Sequence, residues 1–185
     1  MFIKHYIKNP KQTGAICSSS KKLASMMIKG IGINKANCIV EIGPGMGAFT
    51  KEILKNKQKE SKFFAIEINK DMAQKLKNEI PNLEIITQNA LNLESIIKAK
   101  KIDKIDNIIS GIPWALLDTK EQIALLKVIH HNLSQNGYFT TFAYILPSPQ
   151  AAVFKKLLGK FFKEVRKSKI VWQNVPPAFV YYCKK

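Results

Sequence analysis

The sequence is poor in the features that mark membrane-spanning, secreted and metal-binding chains. None of its apolar runs is long enough to cross a bilayer, and residues 1–8 lack the long apolar core of a secretory signal. Its three cysteines, Cys17, Cys38 and Cys183, are far apart and form no Cys-x-x-Cys pair, which argues against a zinc or redox site. Scattered thiols of odd number fit a reducing compartment. These absences predict a cytoplasmic chain without a metal centre.

Acidic residues are missing from both ends of the chain. Residues 1–35 contain seven lysines and no acid, and residues 122–185 contain nine lysines, Arg166 and a single acid, Glu164. Residues 36–121 balance thirteen lysines against twelve acids, so the net charge of +17 resides almost entirely at the two ends. A biased genome explains lysine in place of arginine, but not this uneven distribution of acids. The two basic ends predict a surface that faces an anion, either nucleic acid or a membrane.

The length of 185 residues fits one domain, with a hydrophobic content of 46% that is normal for a globular core. Residues 1–35 are interpreted as a basic helical segment, and residues 36–185 as a Rossmann-like core. Within the first segment, Phe2, Ile3 and Tyr6 share one face of a short helix, with Lys4 and Lys8 opposite. This amphipathic pattern predicts a membrane-contacting segment, or alternatively a lid that folds back over a ligand.

Apolar runs and helical periodicities alternate along the core. Strands at 105–110 and 138–145 flank a helix that Asp118 or Thr119 caps, and the same alternation recurs on the N-terminal side. Such alternation predicts an α/β fold with right-handed βαβ units and a mostly parallel, seven-stranded sheet covered by helices on both faces. No helix separates the last two strands, near 164–172 and 179–183, so an antiparallel last strand is expected. Ligands of such sheets lie at the carboxyl ends of the strands.

A glycine-rich turn follows the first strand, Cys38–Ile42. Glu41 precedes Gly43, Gly45 and Gly47 at the start of a helix, a context that permits close backbone approach to a nucleotide cofactor. The spacing alone also fits a dinucleotide fingerprint. A pyrophosphate needs backbone donors and a positive field, whereas Pro44 removes one donor and Glu41 adds negative charge. The turn therefore favours S-adenosylmethionine (SAM), whose methionine ammonium suits Glu41.

Two further strand ends complete the predicted cofactor site. Glu67, followed by Ile68, ends the second strand, where an acid accepts hydrogen bonds from ribose hydroxyls. Asn89, followed by Ala90, comes after the third strand and is predicted to hydrogen-bond the adenine amino group. An ordinary turn-forming asparagine is the alternative at that position.

The acceptor side is predicted after the fourth and fifth strands. Ser110 and Gly111 are followed by Ile112, Pro113 and Trp114, at the position that faces the methyl group in SAM enzymes. A carbonyl or hydroxyl there orients an amine, and the Trp114 ring favours a nitrogen that becomes cationic; packing against the next helix is the alternative. No strong general base is evident, and Tyr144 is better placed than His5, His130, His131 or Tyr6.

These motifs resemble class I SAM-dependent methyltransferases, and more finely the bacterial phospholipid N-methyltransferases, which convert phosphatidylethanolamine stepwise to phosphatidylcholine. The resemblance spans nearly the whole chain: residues 9–15 read Asn-Pro-Lys-Gln-Thr-Gly-Ala, 110–113 read Ser-Gly-Ile-Pro, and 174–181 read Asn-Val-Pro-Pro-Ala-Phe-Val-Tyr. Ser19, Ser20, Leu23 and Ala24 match a Ser-Ser pair and a Leu-Ala helix. Cys17 replaces a usual proline, and Asn89 a usual acid.

The resemblance implies a peripheral enzyme on the inner face of the membrane that methylates an aminophospholipid. It places the substrate and membrane contacts at Lys4, Tyr6, Lys8, Ser19, Ser20, Asn174 and Tyr181. The chief alternative is an RNA adenine N6-methyltransferase, which usually carries an asparagine where this loop reads Ser110-Gly111 and a helical domain after the sheet, for which this chain ends early. A non-catalytic SAM-binding module and an NAD-dependent dehydrogenase are the remaining alternatives.

Overall fold

The computed structural model describes residues 19–185, and within them a seven-stranded sheet has the order β3-β2-β1-β4-β5-β7-β6. Its strands are β1 Cys38–Ile42, β2 Lys62–Ile66, β3 Ile85–Ile86, β4 Ile105–Ser110, β5 Leu133–Tyr144, β6 Glu164–Lys167 and β7 Ala178–Lys184. The α-helices of the described part are α1 Lys21–Ile28, α2 Ala48–Asn56, α3 Lys70–Glu79, α4 Leu93–Ala99, α5 Thr119–Asn132 and α6 Pro149–Phe161.

The pairing confirms the predicted α/β, Rossmann-like class. Strands β1 to β5 pair in parallel, and β7 pairs antiparallel with both β5 and β6. The first residue of the central β1, Cys38, is paired with β2 alone and its remaining four residues with both β2 and β4, and all five of its side chains are buried. As the reversal of strand order lies between β1 and β4, the carboxyl ends of these strands form the crevice in which such sheets bind ligands.

Polar caps fix where the helices begin. Ser20 caps α1 by accepting a hydrogen bond from the Leu23 amide, and Asn69 caps α3 through the Met72 amide. Asp118, of the two predicted candidates, caps α5 in a reciprocal capping box with Glu121. These caps place the N-termini of α1, α3 and α5 at the carboxyl edge of the sheet, beside the predicted ligand crevice.

Two apolar layers enclose the sheet. One contains α4, α5 and α6 and includes Trp114, and the other packs α1 and α2 against Phe142 and Tyr182. The Tyr182 hydroxyl also donates to the Met26 carbonyl oxygen at 2.6 Å, which ties the end of α1 to β7. None of the described helices is both long and apolar enough to cross a membrane.

Three predicted strands have different limits in the structure. The predicted strand 164–172 ends at Lys167 and continues as a loop that exposes Trp172, because β7 pairs with this region only through an isolated bridge beyond that point. The third strand is reduced to Ile85–Ile86, and β5 begins at Leu133, before Gly137, with a register irregularity against β4. The segment 1–18, with its predicted helix, lies outside the described residues.

Candidate cofactor and acceptor site

The turn after β1 depends on glycine. Gly43, Gly45 and Gly47 have φ values of 68°, 55° and 77°, a left-handed conformation that side chains other than glycine adopt only with strain. The Gly43 amide donates to the Ile66 carbonyl oxygen of β2 at 2.9 Å, and Gly47 immediately precedes α2. The three glycines named in the sequence therefore shape one tight turn between β1 and α2, at the carboxyl edge.

Glu41 is a buried carboxyl group beneath this turn. Its Oε2 accepts a hydrogen bond from the Thr50 hydroxyl at 2.6 Å, whereas its fully buried Oε1 accepts none from the described residues. Burial raises the pKa of Glu41 to about 8, against the opposing effect of the Thr50 hydrogen bond. An unpartnered buried carboxylate oxygen is costly unless a donor satisfies it. The methionine ammonium of SAM is such a donor, so this residue fits the cofactor.

Glu67 connects the turn to the next helix. It is 6% exposed; its Oε1 accepts from the Asn69 amide at 3.0 Å and its Oε2 from the Gly45 amide at 3.4 Å. Burial raises the pKa of Glu67, although these backbone amides favour its ionised form. Because each carboxylate oxygen has two lone pairs, both retain capacity for the ribose hydroxyls of a nucleotide. The predicted pair Glu41 and Glu67 thus lies on adjacent strands around one turn.

The predicted acceptor loop, residues 110–114, directly contacts the cofactor turn, residues 43–47. The Gly111 amide donates to the Ile42 carbonyl oxygen at 2.8 Å. A Cβ at Gly111 would lie 2.2 Å from the Gly43 carbonyl oxygen, and one at Gly43 would lie 3.1 Å from the Ile112 side chain. The structure therefore brings together two motifs that are about 70 residues apart in the sequence, at the distance of closest backbone contact.

Trp114 and Ser110 both lie in the core, and their role at the acceptor stays a prediction. The Trp114 ring is 2% exposed and stacks on Phe154 at 4.5 Å between centroids, while its Nε1 donates to the Ser110 Oγ at 3.2 Å. The Ser110 carbonyl oxygen accepts from the Thr141 hydroxyl. The structure supports packing, the alternative for Trp114, because its ring lies in the apolar layer formed by α5 and α6. The carbonyl oxygens of Gly111 and Ile112 accept no hydrogen bond from the described residues.

Asn89 caps a turn in the structure, which is the alternative role considered for it in the sequence. Its side-chain oxygen accepts from the Leu91 amide at 2.9 Å and so caps a short 3₁₀ helix, Ala90–Asn92. Ala90 is buried and Ile68 is half-buried, each next to a polar residue at the end of its strand. The Asn89 side-chain oxygen keeps a second lone pair and its amide nitrogen is a donor, so the predicted adenine contact stays a prediction.

The residues predicted to face the substrate differ in how deeply the structure buries them. Tyr144 is half-buried at the end of β5, with its ring edge-on to Phe142 at 5.4 Å. Asn174 and Tyr181 are each 4% exposed, and their contact with substrate or membrane stays a prediction. Asn174 instead accepts from the Ser20 amide at 2.9 Å, whereas Ser19 is half-buried. Lys4, Tyr6 and Lys8 lie outside the described residues.

Two residues of the site were missed from the sequence. Thr50 is fully buried on α2 and donates to Glu41, and Thr141 is fully buried on β5 and holds the Ser110 carbonyl oxygen. A threonine on the inward face of a helix or strand was the only available signal, and it does not specify a partner. Within residues 19–185, no group of three or more His, Cys, Asp and Glu side chains is arranged to hold a metal ion.

Comparison with known proteins identifies the chemistry of this arrangement. The family model described as ribosomal RNA adenine dimethylase matches residues 3–148. An ornithine lipid N-methyltransferase of Singulisphaera acidiphila is 25% identical over 100% of this chain and 94% of its own length. The ribosomal RNA small subunit methyltransferase A of Mycoplasma mycoides is 37% identical over 58% of this chain, which spans only 41% of that enzyme.

The fold is also that of a solved methyltransferase. A Bacillus cereus O-methyltransferase in complex with SAH has a TM-score of 0.70 and 13% identity, over 100% of this chain and 90% of that one. The fold is therefore that of class I SAM-dependent methyltransferases, and the chain is a SAM-dependent methyltransferase whose cofactor is SAM.

Proposed function

The chain belongs to the ribosomal RNA adenine dimethylase family, and within this family we propose that it methylates the primary amine of a membrane lipid, of the phosphatidylethanolamine type, rather than RNA. The acceptor loop carries this proposal. The loop 110–114 offers the backbone carbonyl oxygens of Gly111 and Ile112 beside the cofactor turn, and it contains no side-chain amide with which to pair an adenine.

The lipid part of the proposal rests on sequence similarity and charge. The relative named for ornithine lipid aligns over all of this chain, and the chain spans about half or less of the length of the RNA methyltransferases that it matches. Residues 122–185 carry one acid against ten basic residues, which favours an anionic surface close to the acceptor loop. Phosphatidylethanolamine and ornithine lipid share a primary amine on a lipid, and that amine is the substrate chemistry proposed here.

In this mechanism the protein acts mainly by positioning. SAM supplies an electrophilic methyl group on its sulfonium sulfur when it is bound. Glu41 Oε1 would hold the methionine ammonium, and Glu67 would hold the ribose hydroxyls while its other lone pairs keep the turn in place. The carbonyl oxygens of Gly111 and Ile112 accept hydrogens of the neutral amine, which directs its lone pair toward the cofactor turn. Tyr144, half-buried at the end of β5, borders the same edge.

Methyl-labelled SAM distinguishes the candidate substrates. The purified protein is incubated with anionic vesicles containing phosphatidylethanolamine, with vesicles containing ornithine lipid, and with ribosomal RNA. Label in either lipid supports the proposal and identifies the headgroup, and the number of methyl groups follows from the mobility of the product. Label in RNA with none in lipid overturns it in favour of adenine methylation, the function suggested by the family model.

A variant pair connects the label to this site. Glu41→Gln removes the negative charge beneath the turn and should reduce the transferred label, because the ammonium loses its ionic partner. Glu60→Gln makes the same change at an exposed position before β2 and should leave the label unchanged. Equal label from both variants would mean that Glu41 does not hold the cofactor.

A further inference from the structure

Two loops extend the carboxyl edge of the sheet beyond the acceptor loop. Residues 145–148 connect β5 to α6, and residues 168–177 connect β6 to β7; together they are called the outer loops. They are hydrogen-bonded to each other, because the Ile145 amide donates to the Pro177 carbonyl oxygen at 3.1 Å. Since β5 neighbours β4 in the sheet, the outer loops lie next to the end of β4, where the acceptor loop begins.

The outer loops expose apolar side chains that the core does not cover. Leu146 is 63% exposed, Trp172 65% and Val175 71%. Five of the eight large hydrophobic residues exposed in the described part of the chain belong to these loops, namely Ile145, Leu146, Ile170, Trp172 and Val175. A concentration of this kind marks an interaction surface, whereas single exposed hydrophobic residues need no explanation.

The loop that exposes Trp172 and Val175 is itself fixed to the protein by hydrogen bonds and burial. Val171 is 2% exposed, and its amide donates to the Ala178 carbonyl oxygen at 2.7 Å. Asn174 is buried and donates to the Pro176 carbonyl oxygen at 2.7 Å, while its own side-chain oxygen accepts from the Ser20 amide. Trp172 and Val175 therefore project from a loop in which the preceding residue of each, Val171 and Asn174, is buried and hydrogen-bonded.

Lysines surround the apolar side chains. Lys167 and Lys169 flank the start of the second outer loop and are exposed, and neither outer loop contains an acid. Lys21 and Lys22 are also exposed, in the first turn of α1, which the Ser20–Asn174 hydrogen bond attaches to this loop. Positive side chains are unfavourable at a helix N-terminus, and the first turn of α1 holds these two lysines without an acid.

We propose that the outer loops dock the protein on an anionic lipid bilayer, with Trp172, Val175 and Leu146 entering the headgroup region and the four lysines contacting anionic headgroups. This proposal rests on the proposed function, because docking here brings a lipid amine to the adjacent acceptor loop. Tryptophan is the residue that membrane interfaces favour most, and lysine attraction to anionic lipid adds to apolar burial. Nucleic acid fits less well, because Leu146 and Val175 offer no ring on which bases stack.

Trp172 provides its own probe. The chain has two tryptophans, and Trp114 is buried, so a change of emission on adding vesicles reports Trp172. Emission should shift to the blue with phosphatidylglycerol-containing vesicles and be quenched by brominated acyl chains, and both effects should weaken at high salt. Absence of both effects in the wild type, or their appearance with ribosomal RNA and not with vesicles, overturns the proposal.

Variants test the apolar and the basic parts separately. Trp172→Ser should weaken vesicle binding by at least about tenfold through lost apolar burial. Lys167→Gln and Lys169→Gln should each cost about fivefold on anionic vesicles. Leu54→Ser is the matched control, since Leu54 is 37% exposed on α2, toward the opposite edge, and should bind vesicles as the wild type does. Equal binding by Trp172→Ser and Leu54→Ser overturns the docking surface.

Docking and methylation fail in distinguishable ways. Trp172→Ser should lose methyl transfer to lipid in vesicles but retain it on a short-chain aminolipid below its micellar concentration, because only the docking step is affected. Vesicle binding with quenched Trp172, but without label in any lipid, would overturn the proposed function and leave the docking surface standing. Labelled vesicle lipid, with a rate in Trp172→Ser as high as in the wild type, would overturn the docking surface and leave the proposed function standing.

Discussion

The carboxyl edge of the sheet has two halves that are built on opposite principles. The cofactor half, at the ends of β1 and β2, buries the carboxyl groups of Glu41 and Glu67 and closes around glycines. The outer half, at the ends of β5 and β6, exposes Trp172 and Val175, and its loops contain Lys169 and no acid. The first half places polar groups where water is scarce, and the second places apolar groups where water is abundant.

This difference indicates which half tolerates change. In the cofactor half, Glu41, Glu67 and Gly111 are each buried against or in close contact with neighbouring groups, so a substitution at these positions should affect stability and ligand binding together. In the outer half, the exposed side chains contact little of the protein, so their substitution should affect only what they meet outside it. The predictions below test this contrast, beginning with the largest expected effect.

Gly111→Ala should disrupt the contact between the two motifs. The added Cβ would lie 2.2 Å from the Gly43 carbonyl oxygen, so one backbone segment must move. We expect methyl transfer to fall at least about a hundredfold, as for a displacement of about 1 Å at a reacting centre, and the free energy of unfolding to fall by about 1–3 kcal/mol. Radiolabel transfer and urea denaturation measure the two effects.

Gly159→Ala is the control for this change. Nothing lies within 4 Å of a Cβ at Gly159, which is exposed on α6. The alanine should therefore preserve activity and raise the free energy of unfolding by about 0.5–1 kcal/mol, the helix preference of alanine over glycine. If both alanine variants behave alike, close approach at Gly111 is not what the site requires.

Glu67→Ala should weaken SAM binding by about 10- to 100-fold. The substitution removes the acceptor of the Asn69 and Gly45 amides and the proposed ribose contact, and a hydrogen bond to a charged group contributes about 1.5–3 kcal/mol. Isothermal titration calorimetry measures the affinity directly. Glu60→Ala, at an exposed position, should bind SAM normally, and unchanged affinity in Glu67→Ala would refute the predicted role.

The raised pKa of Glu41 should make the cofactor half sensitive to pH. Since its folded-state pKa of about 8 lies above the ordinary value of 4.5, the folded protein binds this proton more tightly than the unfolded chain. Its contribution to the free energy of unfolding is therefore largest below pH 4.5 and is lost as the pH rises toward 8. The melting temperature of the ligand-free wild type, relative to Glu41→Gln, should fall across this window.

SAM binding should depend on pH in the opposite direction. The methionine ammonium favours the ionised form of Glu41, so the affinity for SAM should rise between pH 6 and 7.5, by up to about tenfold per pH unit. Glu41→Gln should bind SAM with little dependence on pH in this range. A wild-type affinity that is flat across the range would show that the ammonium is not held by this carboxyl group.

The sequence predicted the cofactor half better than the outer half, for physical reasons. Glu41 and Glu67 could be predicted because each lies at or just after the carboxyl end of a largely apolar strand, and parallel strands bring such ends together. The burial of Trp114 could not be predicted, because motif spacing does not determine toward which layer a residue after a strand points. The burial of Asn174 could not be predicted either, because its partner, Ser20, is 154 residues away, and no local pattern reveals that pairing.

The topology of the last strands explains a further difference. The absence of a helix between them predicted antiparallel pairing, which is confirmed, but not that β7 lies between β5 and β6. This order carries the chain from β6 back across the edge, so residues 168–177 form a loop beside the end of β5 instead of a strand. The exposure of Trp172 follows from that arrangement and was not evident from the sequence.

The smallest expected effect is also the one that separates the two halves most clearly. Trp172→Ser should leave the free energy of unfolding within about 0.5 kcal/mol of the wild type in solution, because a side chain that is 65% exposed contributes little to the core. Chemical denaturation followed by circular dichroism measures this without relying on the lost tryptophan. A loss of more than about 1 kcal/mol would mean that Trp172 holds the loop in place, and the contrast between a constrained half and an exposed one would then not hold.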